Sequence, residues 1–195
     1  LSSTDSRTDK EMLSIGIMRE KQVDGIMIMS HTVAPQLLDY LQHNHLPAVL
    51  VASLMHHPTI ASVNIDNRAA ACDAVRYLLG LGHTRVAIVS GPASDQSGGI
   101  ARLNGYRDAM AERGCEVPEA YVRVGADYTY HTGYDHMVAL LKLAEPPEAV
   151  FLAGDYMAIG AIKAANDLGV TVPGQVAVMG FDNLAVSQYY SPSLS

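Results

Sequence analysis

Short apolar segments alternate with helical stretches along the chain, and this alternation constrains the fold more than any other feature. The apolar segments are six to eight residues long and rich in Val, Ile and Ala, which is typical of parallel strands buried on both faces. The stretches between them, such as Arg68–Leu81 and Tyr156–Leu168, repeat apolar residues at helical spacing. The pattern predicts an α/β fold built on doubly wound parallel sheets. The predicted strands are Val23–Ser30, Pro47–Ser53, Ala61–Asp66, Arg85–Ser90, Tyr121–Asp127, Ala149–Asp155 and Gln175–Asp182.

One connection breaks this alternation and predicts a division of the chain. Only seven residues separate Pro47–Ser53 from Ala61–Asp66, too few for the crossover helix that normally joins parallel neighbours. We therefore expect Ala61–Asp66 to leave the first sheet and carry the chain into a second lobe, with a hinge near Val63–Asp66. Residues 1–63 would then be part of a first lobe and residues 64–195 a second lobe. Residues 1–5 have the pattern of the end of a strand.

The composition excludes several classes of partner. The chain has 13 Lys and Arg residues against 20 Asp and Glu residues, a net charge of −7, so these residues offer no basic surface for phosphates. No apolar run is long enough to span a bilayer, and no signal peptide is recognisable, so we expect no membrane partner. Cys72 and Cys115 lack metal-type or paired spacing, which indicates reduced thiols in a cytoplasmic protein.

Every predicted strand ends in a short polar residue. In open parallel sheets ligands bind beyond the carboxyl ends of the strands, so these residues predict a pocket for a neutral ligand with hydroxyl or amide groups. The alternative is that each one caps the helix that follows, an interpretation that fits Asp66 and Asp155 best. Asp182 fits capping less well, because Asp182-Asn183 doubles the polar group after an apolar run. The end residues are Ser30, Ser53, Asp66, Ser90, Asp127, Asp155 and Asp182.

Motifs for catalysis, cofactors and metals are absent from the sequence, so we expect neither an enzyme nor a cofactor. The chain contains no GxSxG, GxxxxGK[ST], GxGxxG after a strand, or HExxH. The glycine-rich segment 90–99 resembles a phosphate-binding loop in composition but lacks the Lys-Ser/Thr pair. His43, His45 and His56-His57 lie in loops without carboxylates at ligand spacing, which favours solvated histidines over a metal site. Tyr128 and Tyr130 follow Asp127, where they could stack on a ligand ring; partly buried packing is the alternative.

Several segments, in order along about residues 1–195, resemble the lactose and galactose repressor (LacI/GalR) family of transcription regulators. The segment 81–92 (LGHTRVAIVSGP) is similar to the family's helix–turn–strand signature, and Val23–Ile26 to its first-lobe strand. The other matching segments are Val63–Asn67, Arg102–Tyr106, Asp155–Ala161 and Val172–Asn183.

The resemblance implies the effector-binding core of an allosteric repressor with a periplasmic-binding-protein-like fold of two lobes. It implies a DNA-binding helix-turn-helix headpiece outside this chain, and operator DNA as a partner through that headpiece. By position, Arg102 and Asp182 would hydrogen-bond the effector and Tyr128 would contact it. The remaining expected ligand-binding residues are Asp66, Ser97 and Ser30.

The effector class and the alternatives follow from the same resemblance. The chain has Ala52-Ser53 and Gly154-Asp155 where many members carry Asp-Arg and Asn-Asp, so a nucleoside remains an alternative to a sugar. We expect a homodimer, because two headpieces that read two half-sites require two-fold symmetry. Met157–Leu168 and Leu184–Tyr190 are the candidate interface segments of the second lobe. The alternative function is a periplasmic sugar-binding protein of a transport system, which shares the fold.

Overall fold

The computed structural model describes residues 1–4, 7–30, 33–53 and 57–194, which form two compact units. Unit 1 is Leu1–Ile65 and unit 2 is Asp66–Ser195. The assignment of residues 1–63 and 64–195 to two lobes stays a prediction. The helices are α1 Thr8–Glu20, α2 Pro35–His43, α3 Asn67–Gly80, α4 Ala101–Glu112, α5 Tyr130–Leu141, α6 Asp155–Asp167 and α7 Ala185–Tyr189. The strands are β1 Ile26–Met29, β2 Ala48–Val51, β3 Ala61–Val63, β4 Val86–Ser90, β5 Val122–Val124, β6 Ala149–Leu152 and β7 Ala177–Met179.

The predicted α/β class is confirmed. All seven predicted strands are present, each shorter than its apolar segment, and every strand pair is parallel. Gly82, Gly114 and Gly169 follow helices with positive φ angles, the backbone conformation in which glycine ends a helix. Residues 1–4 form no strand, so that part of the expectation for residues 1–5 is wrong, and Asp5 lies outside the described residues.

Unit 1 contains a sheet of order β1-β2-β3, and β3 lies in it. The expectation that Ala61–Asp66 leaves the first sheet is therefore wrong: Ala61, Ser62 and Val63 pair in parallel with Val49, Leu50 and Val51. The connection of nine residues, 52–60, can extend to about 30 Å. That length exceeds the roughly 13 Å needed to return along a four-residue strand, so no crossover helix is required.

One face of the unit 1 sheet carries the core of that unit. Ile26 and Ile28 point into a cluster with Ile15 of α1 and with Leu37 and Leu41 of α2. The alternate residues of β1, Met27 and Met29, are 78% and 76% exposed. The alternation of buried and exposed residues on β1 shows that α1 and α2 cover a single face.

Unit 2 contains a sheet of order β5-β4-β6-β7 with helices on both faces. All five residues of β4 and all four of β6 are buried. Ile88 and Phe151 pack with α3 and α4 on one face, whereas Val89 and Leu152 pack with α5 and α6 on the other. The two-sided burial is the doubly wound arrangement that the continuous apolar segments predicted.

Helices α5 and α6 pack at close range through glycine. A Cβ on Gly133 would lie 1.9 Å from the Met157 carbonyl oxygen, and one on Gly160 would lie 1.9 Å from that of Tyr130. Nearly every apolar residue of α6 is buried in unit 2 itself, so Met157–Leu168 does not offer the apolar dimer face that the sequence predicted. Of the two candidate segments, Leu184–Tyr190 keeps exposed apolar surface, with Tyr189 87% exposed.

No helix within the described residues has the length and apolar character needed to cross a membrane.

Candidate functional site

A polar cluster lies at the carboxyl ends of the unit 2 strands, with Arg102 of α4 at its centre. The Arg102 side chain is 11% exposed. Its Nε donates to Asn67 Oδ1 at 2.8 Å, and its Nη1 donates to the Ala153 carbonyl oxygen, just beyond β6, at 2.6 Å. The guanidinium carbon lies 3.7 Å from the centre of the Phe181 ring, beyond β7. Contacts from α3 and from the segments that follow β6 and β7 therefore fix the plane of the guanidinium.

Asp182 faces the remaining side of the guanidinium. Arg102 Nη2 lies 3.7 Å from Asp182 Oδ1, a separation that makes an ion pair but exceeds a hydrogen bond. Across the described part of the chain, neither Nη2 nor the Asp182 carboxylate has a closer polar partner. A ligand hydroxyl can accept a hydrogen bond from Nη2 and donate one to the carboxylate at the same time. The Asp182 side chain is 46% exposed, so a ligand can reach it.

Burial and the charge of the partner shift the pKa values of Arg102 and Asp182 in opposite directions. Burial lowers the pKa of Arg102, and the nearby carboxylate of Asp182 raises it. Burial raises the pKa of Asp182, and Arg102 opposes that shift. Both groups are thus held where part of their hydration is lost, and hydrogen bonds to charged groups in such places are strong.

The backbone that presents Asp182 is strained. Asp182 and Asn183 have φ angles of 102° and 54°, values that side-chain-bearing residues adopt rarely. The turn is held by Asp155, whose carboxylate accepts from the Leu184 backbone N–H at 2.6 Å and from Ser187 Oγ at 2.7 Å. Asp155 thus anchors the segment after β7 rather than capping α6, which corrects the capping interpretation of that residue. Strain of this kind persists where the surrounding structure enforces it, typically at ligand sites.

A second group of side chains borders the cluster at the glycine-rich segment 90–99. Tyr128 Oη donates to Asp95 Oδ2 at 2.6 Å, and Asp95 accepts from the Ser97 and Gly98 backbone N–H groups. A Cβ on Gly91 would lie 2.2 Å from the Tyr128 hydroxyl oxygen. The glycine therefore makes room for Tyr128, and the buried carboxylate of Asp95 occupies the backbone donors that a phosphate would need.

Asp95 also begins an unusual helical turn. Gln96–Ile100 forms a π-helix, closed by the bond from the Ile100 N–H to the Asp95 carbonyl oxygen. Such turns are uncommon and occur often at functional sites. The turn buries Ser97, whose Oγ accepts from Asn67 Nδ2 at 3.3 Å. Asn67 thus links this group to Arg102.

The structure brings four of the six predicted site residues together in unit 2, and the ligand contacts of Asp66 and Ser30 stay predictions. Arg102, Asp182, Tyr128 and Ser97 belong to the cluster just described. Asp66 accepts from the Ala69 backbone N–H at 2.9 Å and caps α3, as the capping alternative proposed. Ser30 is buried in unit 1, where its Oγ donates to Glu11 Oε1 at 2.9 Å.

Known proteins resemble this chain in both sequence and fold. A family model of a periplasmic binding protein-like domain matches residues 75–195. Catabolite control protein A of Priestia megaterium is 38% identical over 195 residues, 100% of this chain and 58% of that protein. A LacI-family regulatory protein from Chloroflexus aggregans superposes with a TM-score of 0.85 at 31% identity, covering 100% of this chain and 68% of that one. The chain belongs to the LacI family.

A further similar structure carries a ligand. The complex of the transcriptional regulator CelR with cellobiose superposes with a TM-score of 0.87 at 32% identity, covering 96% of this chain and 57% of that one. Several of the similar proteins are transcriptional repressors or transcription regulators, which does not favour the transport alternative. The chain spans a little more than half the length of the curated relatives it matches.

Sequence reasoning missed Asn67, Asp95 and Phe181. Asn67 lies in the segment that resembles the family's hinge entry, and Asp95 in the segment compared with a phosphate loop. Asn67 is 7% exposed and Asp95 1% exposed, but the burial of a single polar residue at a helix start or in a loop has no periodic pattern in sequence. Phe181 belongs to an apolar run and to the matching segment Val172–Asn183, and neither indicates a contact with Arg102.

Two further candidates, a metal cluster and the groove between α3 and α4, offer no ligand site in the described part of the chain. Among the described residues no group of three His, Cys, Asp or Glu side chains could hold a metal ion, and His56 lies outside those residues. The groove of about 510 Å³ between α3 and α4 is lined by Arg68 and Arg76, which form ion pairs with Asp108 and Glu112. Its charges are matched by each other and need no ligand.

Proposed function

We propose that this chain is the effector-binding and dimerisation core of a LacI-family repressor, and that Arg102 and Asp182 bind the effector. The observation that carries the proposal is the guanidinium held by Asn67, Ala153 and Phe181, with its remaining nitrogen and the Asp182 carboxylate open to a ligand. A fixed donor beside a fixed acceptor is preorganised for hydroxyl groups.

The effector we propose is a sugar or a nucleoside. Neighbouring hydroxyls, as in a pyranose or a ribose, can accept from Arg102 and donate to Asp182. The cellobiose complex of the similar regulator supports the sugar. Asp95 and the net charge of −7 disfavour a strongly anionic effector.

The regulatory output we propose is control of operator DNA through a headpiece outside these residues, in the cytoplasm. Val63–Asp66, where the chain passes from unit 1 to unit 2, is the proposed hinge. Leu184–Tyr190, with its exposed Tyr189, is the proposed contribution of unit 2 to a homodimer. Allosteric control requires that operator DNA and effector change each other's affinity by the same factor. Equal effector affinities of the full-length protein with and without operator would rule it out.

The proposed site is tested by measuring ligand affinity after the charge of Asp182 is removed. Cellobiose, D-ribose and adenosine are screened by thermal shift, since a ligand of the folded state raises the melting temperature. The affinity of a probe that binds is then measured by calorimetry for wild type and Asp182→Asn. Asparagine suits the positive φ angle better than alanine does. We expect affinity to fall about ten- to hundredfold, as for loss of a hydrogen bond to a charged group.

Asp135→Asn is the matched control, because it makes the same change on an exposed side chain of α5. It should leave affinity unchanged. Equal affinities of wild type and Asp182→Asn would show that the effector does not bind at Asp182.

A further inference from the structure

Asn67 contacts both halves of the candidate site. It is the first residue of α3, and its side chain is almost fully buried. Its Oδ1 accepts from Arg102 Nε at 2.8 Å, and its Nδ2 donates to Ser97 Oγ at 3.3 Å. One amide thus connects the effector-facing cation to the turn that Asp95 and Tyr128 hold in place.

The orientation of this amide is determined by its partners. A guanidinium only donates hydrogen bonds, so the oxygen of Asn67 must face Arg102. The nitrogen must then face Ser97, whose hydroxyl oxygen can accept. Because both ends are occupied, the amide cannot rotate without losing a buried hydrogen bond, which is costly.

Capping does not explain why Asn67 is buried there. The start of α3 is capped by Asp66, whose carboxylate accepts from the Ala69 N–H. The Asn67 side chain makes its bonds to α4 and to the π-helix Gln96–Ile100 instead. These bonds bridge 35 and 30 residues of sequence, so they serve the tertiary arrangement and not the local turn.

The contacts on Arg102 differ in what they restrain. Ala153 holds Nη1 through a backbone oxygen, and Phe181 packs on the flat face of the guanidinium. Rotation within that plane about the Ala153 contact is opposed by the bond from Nε to Asn67. With Nε and Nη1 held, Nη2 is left directed towards Asp182.

We propose that Asn67 is a positioning residue that sets the orientation of the Arg102 guanidinium and thereby the specificity for the effector. The proposal rests on the proposed function, in which Arg102 binds the effector. Through Ser97, the same amide makes that orientation depend on the segment held by Asp95 and Tyr128.

The first test uses NMR and needs no ligand. The Arg102 Nε–H signal, identified by its loss in Arg102→Met, should exchange slowly with water in the wild-type protein. Asn67→Ala removes the acceptor and should speed exchange about tenfold or more, as expected for loss of a hydrogen bond to a charged group. Asn67→Asp keeps an acceptor and should preserve slow exchange. Unchanged exchange in Asn67→Ala overturns the proposal.

Asn44→Ala is the matched control for that experiment. It removes an asparagine of unit 1 whose Nδ2 donates to the Tyr40 carbonyl oxygen. Exchange at Arg102 should not change in this variant. Equal acceleration in Asn44→Ala and Asn67→Ala would show a general loosening of the protein and would also overturn the proposal.

The second test measures affinity for cellobiose and adenosine by calorimetry in a double-mutant cycle. Asn67→Ala should weaken binding about tenfold or more, whereas Asn67→Asp should stay close to wild type. In the Arg102→Met background, Asn67→Ala should have no further effect, because a residue that acts through Arg102 loses its role with it. Additive losses overturn the proposal.

The outcomes separate this inference from the proposed function. If Arg102→Met leaves affinity unchanged, the effector does not bind at Arg102 and the proposed function fails. If Arg102→Met weakens binding and Asn67→Ala does not, only the positioning role fails. The exchange measurement decides that role independently of which probe binds.

Discussion

The two compact units are built on the same kind of parallel sheet, but they cover it differently. In unit 2, neighbouring residues of β4 point into separate cores, with Ile88 packed against α3 and α4 and Val89 against α5 and α6. In unit 1, Ile28 is buried, whereas Met29, the next residue of β1, is 76% exposed. Among the described residues of unit 1, helices cover only one face of the sheet.

The difference teaches that a segment with the sequence pattern of a parallel sheet need not supply the helices that cover both faces of that sheet. Parallel sheets are normally buried on both faces, because their crossover helices pack there. Unit 2 meets that condition with its own residues and also carries the polar cluster around Arg102. Unit 1 has the strands but leaves an apolar face open, so its stability depends more on what lies against it.

The largest expected effect comes from separating the units. Residues 66–195 alone should unfold in one cooperative thermal transition, because both faces of their sheet are covered from within. Residues 1–65 alone should show no cooperative transition, since a chain of this size buries a smaller fraction of its surface than a larger domain does even when its sheet is covered. Circular dichroism melts and amide NMR spectra of the two fragments check this.

Cooperative unfolding of residues 1–65, with dispersed amide signals, would break the comparison. It would show that one covered face is enough for this sheet. A disordered fragment 66–195 would also contradict the comparison, because it would show that unit 2 does not fold with its own residues.

A smaller effect is expected from single substitutions along one strand of each unit. In β4, Ile88→Ala should cost about 2–5 kcal/mol and Val89→Ala about 2 kcal/mol, because each empties part of a core. In β1, Ile28→Ala should cost about 2–5 kcal/mol, whereas Met29→Ala should stay within about 0.5 kcal/mol. Denaturant unfolding of residues 1–195 gives the four free energies.

The contrast between the two adjacent positions is the internal control of that experiment. Similar losses for Ile28→Ala and Met29→Ala would mean that both faces of the unit 1 sheet are covered in solution. A negligible loss for Val89→Ala would remove the second core of unit 2.

The smallest expected effect is the change in protein stability when the charge of Asp182 is removed. Burial raises the pKa of Asp182 above its ordinary value. Because the folded pKa exceeds the unfolded one, the folded state retains its proton to higher pH, and ionisation lowers stability as pH rises through the folded pKa. Asp182→Asn should therefore be more stable than wild type at pH 7. The difference in stability between the two proteins, the stability gap, should close as pH falls through the raised pKa to about 3.9, the ordinary value for Asp.

Thermal melts of both proteins from pH 3 to pH 7, without effector, measure that gap. A gap that stays constant with pH, or that grows as pH falls, would contradict a raised pKa. A confirmed gap would show that unit 2 maintains a strained, half-buried carboxylate at some expense in stability, as ligand sites often do.

The sequence predicted the fold more fully than the site. All seven strands were placed from apolar runs, because burial on both faces leaves a continuous apolar signature. The path of β3 was mispredicted, because connection length is only a rule of thumb for whether two strands share a sheet. The exposed surface of β3 gave no apolar signal to correct it.

For the site, the resemblance supplied Arg102 and Asp182, and the chemistry of strand ends supplied a reason for Asp182. The same argument selected Asp66, which caps α3, and Ser30, which donates to Glu11 within unit 1. A short polar residue after a strand can cap, bond within its own unit or face a ligand. One dimension of sequence does not distinguish these three uses.

By itself, the sequence determined the order of the elements, their parallel arrangement and the family, because these depend on periodicity and on short segments read locally. Only the tertiary structure decided that β3 joins the unit 1 sheet and that the apolar residues of α6 are buried in the core of unit 2. It also decided that Asn67 reaches Arg102 across 35 residues and that Arg102 reaches the Ala153 carbonyl across 51. Such contacts depend on where packed elements bring distant side chains, and close packing is a property of the whole fold rather than of any segment.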